Sequence, residues 1–164
     1  MIKSLIFIIG CCLLYSCTET ESTEVFDKDK VKQEVVQMLS DYHEDIRKEG
    51  LTAEFKYLDS SENFFWVPPG YESALTYDSV RSILEKNAKA IRSVSFTWDE
   101  LQVFPLSDKI ANYSGIVQGI MTDTAGIESK PKIIESGTVI KRKDGWKLLN
   151  GQSTVMNTPA EKKQ

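Results

Sequence analysis

The chain has 164 residues and carries 20 Lys and Arg against 24 Asp and Glu, a net charge of −4. That acidic balance excludes the clustered cationic surface a phosphate backbone requires, so no nucleic-acid partner is expected. All three cysteines, Cys11, Cys12 and Cys17, precede the rest of the chain, which is left without an internal disulfide, a thiolate zinc site or a cysteine nucleophile. His43 is the one histidine, so a His-rich metal site is excluded too, and neither metal nor cofactor is expected.

Lys3 is the only charge before an apolar run that ends at Cys17, the layout of a secretory signal. The run is too short to cross a bilayer, which takes about 20 apolar residues. A plain signal peptide or a retained membrane helix would have no use for a thiol at this point. Leu14-Tyr15-Ser16-Cys17 resembles the bacterial lipoprotein signal, and the resemblance implies removal of residues 1–16 and tri-acylation, palmitate included, of Cys17. Ile8-Ile9-Gly10-Cys11 fits the same pattern but would leave only Leu5 to Ile9 as apolar core, below the roughly 7 to 15 residues such a signal needs. Two acyl chains already suffice for stable anchoring, so the expected first partner is a membrane: the bacterial cell envelope, at the outer membrane, on its periplasmic or surface face. Cleavage removes one Lys and no acid, so 20 minus 1 cations against 24 anions leaves −5.

Residues 17–26 read as an acidic tether, since Thr18-Glu19-Thr20-Glu21-Ser22-Thr23-Glu24 has no large apolar residue and cannot bury a core. The stretch is equally a solvated spacer and similar to the export signal by which some Bacteroidota lipoproteins reach the cell surface. Residues 158–164 read as a disordered tail. One domain over residues 27–157 lies between.

Within that domain the first half is helical. Asp27 to Glu49 carries Val31, Val35, Met38, Leu39, Tyr42 and Ile46 at helical spacing, and Gly50 closes it. Leu51 to Leu58 adds a helical turn or two. Asn63-Phe64-Phe65-Trp66-Val67 is a brief aromatic strand ended by Pro68 and Pro69, which cannot donate to a ladder. Thr76 is an N-cap for a second helix, Tyr77 to Ala90, with Val80, Ile83, Leu84 and Ile91 inward. After Ser93 the period becomes two. Val94, Phe96 and Trp98 alternate, then Leu101 and Val103 continue one residue out of phase, which predicts a bulge near Asp99 or Glu100. Ile110 to Met121 is the next strand, Thr122 to Gly126 a turn, and Pro131 to Lys143 with Trp146 to Met156 a hairpin about Asp144-Gly145. The expected class is α+β, helices first and an antiparallel meander after.

The amphipathic opening helix, Phe64-Phe65-Trp66-Val67-Pro68-Pro69-Gly70 before the helix around Val80-Arg81-Ser82-Ile83, and the final hairpin Gly137-Thr138-Val139-Ile140-Lys141-Arg142-Lys143-Asp144-Gly145-Trp146-Lys147-Leu148-Leu149 together resemble the nuclear transport factor 2-like superfamily, near its polyketide-cyclase-like, SnoaL-like and ketosteroid-isomerase-like branches. The likeness spans roughly Phe26 to Met156. It implies a cone: a strongly curved antiparallel sheet wrapped around the long N-terminal helix, a cystatin-like roll with an apolar pocket at its wide end.

The resemblance also implies where to look for a site. Enzymes of the superfamily carry a proton-transfer group in the pocket, often His after the Trp-Lys pair, and here those positions read Asn150 and Gln152, amides that cannot exchange a proton near neutral pH. The pocket residues implied are Tyr42, Tyr57, Trp66, Tyr113, Asn150 and Gln152, while Trp98 and Trp146 read as core or sheet interface. His43 lies one residue off the apolar stripe and reads as a partly exposed helix residue. Glu135 reads as an outward residue on the usual alternation. These two are the candidate catalytic bases if the domain is an isomerase-like or cyclase-like enzyme. The reading favoured by the sequence is instead non-catalytic: a lipoprotein binding a small apolar ligand or a protein partner, and pairing as a homodimer through a sheet with apolar residues on both faces.

Overall fold

The structure, a computed structural model, describes residues 26–156. The signal segment, Cys17, the tether to Val25 and the tail after Met156 lie outside it. Helix α1, Lys28–Glu49, starts at Asp27, whose carboxylate accepts from the Lys30 N–H at 2.9 Å, and ends where the Gly50 N–H bonds the Ile46 carbonyl at a φ of 87°. Its apolar stripe is buried: Val31, Val35, Met38, Leu39, Tyr42 and Ile46, together with His43. Leu39 and Ile46 are wholly enclosed; truncating either to Ala would cost about 2–5 kcal/mol, since a close-packed core collapses only partly around a void.

A 3-10 helix, Leu51–Lys56, follows at once, then strand β1, Phe65–Val67. Helix α2, Tyr77–Ala88, is capped by Thr76, which accepts from Ser79, and ends two residues short of Ala90. The meander is β2, Ile91–Pro105; β3, Ile110–Asp123; β4, Glu128–Ser129; β5, Lys132–Arg142; and β6, Gly145–Val155. The sheet runs β1-β6-β5-β3-β2, with β4 pairing β3 off the end. It is curved and unclosed, with α1 packed chiefly on β2. One correction applies to the class: β1 pairs β6 in parallel, Phe65 opposite Asn150 and Val67 opposite Gln152, so the sheet is mixed. β1 is too short for its direction to show in any sequence pattern, and its pairing with β6 is what places it.

Besides a register shift at Arg92, at the start of β2, two bulges set the facing of side chains around the concave side. In β2 the register moves between Trp98, opposite Val117, and Glu100, opposite Ile116, leaving Asp99 extra; the phase change between Trp98 and Leu101 located it. A second bulge lies in β6, where Thr138 pairs Asn150 but Val139 pairs Leu148, so Leu149 is the extra residue. An added residue reverses the alternation beyond it. Leu148 and Ser153 are both buried as a result, although their numbering alone would put them on opposite faces.

Candidate functional site

The concave face of the sheet, the end of α1, the 3-10 helix, the loop after β1 and one side of α2 enclose a cavity of about 440 Å³. Its walls are apolar: Leu51, Leu58, Val80, Ile83, Leu84, Phe96, Val117, Met121, Ile133 and Leu148 face it. Its polar groups are few, as is usual where a cavity orients a small molecule. Tyr42 and His43 come from α1, Glu54 from the 3-10 helix, Glu135 from β5 and Ser153 from β6, with Trp66, Pro68, Pro69 and Tyr71 at one side of the mouth and Lys86 and Asn87 at the other. A wider groove of about 820 Å³ beside the start of α1 is open and lined by charged side chains such as Lys30, Glu34, Lys109 and Lys141, and lacks the enclosure that excludes water.

Two carboxyl groups dominate the cavity. Glu135 accepts a hydrogen bond from the Tyr113 hydroxyl at 2.7 Å; burial pushes its pKa up to about 7 against the lowering effect of that bond. Glu54 is pushed up to about 8, first by burial and then by the neighbouring charge of Glu135, with a hydrogen bond from Tyr42 working the other way. Burial also raises the phenols of Tyr42 and Tyr113 well above their ordinary range, helped by the same acids. Among the described residues no ion pair reaches either carboxyl, so only the two tyrosine hydroxyls work against their desolvation.

His43 is 7% exposed, correcting its reading as a partly exposed helix residue. Its ring stacks on Trp98 at 4.9 Å and 19°, because Trp98, opposite Val117, shares the inner face of β2 with Val94 and Phe96. Burial holds its pKa down at about 4, so the ring is neutral, and Nδ1 has no partner.

Glu135 is likewise corrected, from the solvent side to the cavity. Ile133, Glu135, Gly137 and Val139 face inward while Ile134, Ser136, Thr138 and Ile140 face outward, as the pairing of Glu135 with Gly115 and Ser153 fixes. Isoleucine stands at both 133 and 134, and aliphatic residues at both 139 and 140, so alternation alone had no sign.

Of the other expected pocket residues, Tyr42 and Trp66 line the cavity. Tyr113 is buried beneath the floor and reaches the cavity only through Glu135. Tyr57 does not line it: its hydroxyl donates to Asp45 at 2.9 Å on the outer side of α1. Asn150 and Gln152 do not line it either, because the bulge at Leu149 turns them to the outer face and brings Gly151 and Ser153 inward. Ser153 accepts from the Trp66 indole N–H at 3.2 Å. Gly151 lies under that ring, where a Cβ would stand 2.5 Å from Trp66 Cζ3. Trp146 is core, its indole N–H donating to Glu34 at 2.9 Å.

Sequence reasoning missed Glu54. The available signal was an acid set among Leu51, Ala53 and Leu58, three residues the structure buries. Among the described residues no three His, Cys, Asp or Glu side chains converge as metal ligands.

A long helix crossed by a curved, unclosed sheet with a cavity at the open end is the nuclear transport factor 2-like architecture, and comparison with solved structures bears this out. A nuclear transport factor 2-like superfamily protein from Salmonella enterica superposes with a TM-score of 0.68 at 13% identity, covering 83% of this chain and 98% of that one. A protein with a cystatin-like fold from Caulobacter vibrioides gives 0.60 at 10% identity, covering 76% and 89%. A nuclear transport factor 2-like protein of unknown function from Shewanella oneidensis gives 0.58 at 19% identity, covering 74% and 97%. No protein-family model and no curated protein matches the sequence. At these identities the likeness defines the fold, and function rests on the site.

Proposed function

We propose that the chain is a lipid-anchored envelope protein whose single domain binds a small, largely apolar molecule in the cavity under Trp66. The observation that carries this reading is the cavity itself: aliphatic and aromatic walls around a few convergent polar groups, with Trp66 held over the mouth by Ser153 and seated on Gly151. A neutral dye or steroid should bind the purified domain, and Trp66→Ala should weaken it about tenfold or more, the usual cost of removing a large aromatic anchor. Tyr57→Phe, which alters a phenol outside the cavity, should leave it unchanged. Equal binding by wild type and Trp66→Ala would overturn the reading.

Anchoring rests on the run ending Leu14-Tyr15-Ser16-Cys17. Cys17→Ser should abolish fatty-acid labelling and release the protein from the membrane fraction, whereas Cys11→Ser should do neither. A proton-transfer enzyme is the second reading, favoured by one observation: a carboxyl near pKa 7 bonded to a tyrosine inside an apolar cavity, the setting in which a general base is most effective near neutral pH. Under that reading Glu135→Gln would remove on the order of 10² to 10⁴ in rate while leaving dye binding intact.

A further inference from the structure

The cavity floor carries two acids that no cation meets among the described residues. Tyr113 has given its hydroxyl hydrogen to Glu135, Tyr42 has its hydroxyl on Glu54, and the Trp66 N–H is taken by Ser153. What remains to meet a ligand is the carboxyl groups of Glu54 and Glu135 and the hydroxyl hydrogen of Ser153, beside the enclosed Nδ1 of His43. His43 belongs to the cavity wall, is more than nine-tenths buried, and has no partner for that nitrogen. A buried polar atom without a partner is costly, and two ionised carboxylates without a cation are costlier. Among the described residues the one Lys or Arg lining the cavity is Lys86, exposed on α2 at the rim and paired with neither acid.

From this geometry we infer that the cavity is built for an organic cation: an apolar primary amine whose ammonium group sits between Glu54 and Glu135, and whose hydrocarbon body fills the aliphatic walls. The inference rests on the small-molecule reading above and adds the charge of the ligand. An ammonium supplies three donors to the two carboxylates once they give up their protons, and it replaces the solvation that burial removed from both. The aromatic rings of Tyr42, Phe96 and Trp66 around it add faces that attract a cation. Binding is linked to protons. Glu54 and Glu135 hold theirs up to about pH 8 and 7, so the ammonium takes their place and protons leave for solvent. Of the remaining titratable groups facing the site, Tyr42 and Tyr113 stay protonated, His43 stays neutral, and Tyr71 and Lys86 lie at the rim, so the two carboxyls set the dependence.

The test compares 3-phenylpropylamine with 3-phenylpropan-1-ol and 3-phenylpropionate, three bodies of one shape that differ in charge, by calorimetry on the intact domain alongside the neutral dye. Near pH 8 the amine should bind at least about tenfold tighter than the alcohol, the scale of a hydrogen bond to a charged group, and the carboxylate least. The amine's advantage should shrink toward pH 5, and its heat should vary with the ionisation enthalpy of the buffer, reporting released protons. A Glu54→Gln, Glu135→Gln pair should bring amine and alcohol to equal affinity, whereas Tyr57→Phe, outside the cavity, should leave the difference between them intact. Dye binding with no preference for the amine would overturn the inference and leave the apolar-pocket reading standing. Failure of the dye as well would overturn both.

Discussion

Tyr113 and Glu135 sit on neighbouring strands two positions apart in register, and the phenol reaches diagonally across to donate to the carboxylate at 2.7 Å. Gly137, directly opposite Tyr113, makes the path: a Cβ there would stand 3.1 Å from the tyrosine ring. The bond favours the ionised acid and works against burial. Tyr113→Phe should therefore raise the Glu135 pKa above about 7, which carboxyl NMR across a pH series would read directly. An unchanged or lower value would show that the hydroxyl does not act on the carboxylate.

Both cavity acids have folded pKa values above the ordinary 4.5, so between about 4.5 and 8 the native state holds more protons than the unfolded chain. Stability on their account is lost as pH rises through that window. Replacing both by Gln should remove the loss, and the double variant should gain on wild type by on the order of a few kcal/mol across it in urea titrations. A constant difference from acid to alkaline pH would contradict the assignment.

His43 has the opposite sign. Its folded pKa of about 4 lies below the ordinary 6.5, so the unfolded chain holds the extra proton and stability falls as pH drops from 6.5 towards 4. His43→Phe should flatten that acid limb. The ring-to-ring stacking on Trp98 is available to Phe, which keeps the packing loss small.

Trp66 lies so close over Gly151 that no larger residue fits there. Gly151→Ala should cost about 1–3 kcal/mol, the range for forcing an extra carbon into a packed site, and should shift tryptophan fluorescence as the ring lifts from Ser153. Stability equal to wild type would mean the ring moves aside freely.

The outer face of the sheet carries Ile116 opposite Ile134, with Ile120 and Phe104 nearby; Ile134 is 47% exposed. Exposed apolar clusters on one sheet face are the usual mark of a protein interface, and pairing of two copies through this face is the expectation. Sedimentation should give a dimer at high micromolar concentration and a monomer for Ile134→Glu. A monomeric wild type would end the proposal.

Most of the fold was legible in the sequence because its signals are local and strong: the stripe from Val31 to Ile46, the caps at Asp27 and Thr76, the phase jump around Asp99 and the Asp144-Gly145 turn. The site was less legible, for physical reasons tied to particular residues. Glu135 stands between pairs of aliphatic residues that hide which face is inner. Asn150 and Gln152 follow a bulge at Leu149 whose flanks, Leu148 and Leu149, look alike in hydropathy. Glu54 sits in a 3-10 turn too short for any periodicity. His43 is buried by Trp98, which reaches it from a strand more than fifty residues on, a contact no window of sequence contains.

The extra residue at Leu149 hides a second lining in the same strand. Drawn into regular pairing, with Leu149 opposite Thr138, it would slip the end of β6 by one residue and turn the amides of Asn150 and Gln152 to the cavity in place of Gly151 and Ser153. Trp66 would lose both its seat and its hydroxyl partner. The last strand thus carries two alternative linings written over each other, and one unpaired residue decides which of them the ligand meets.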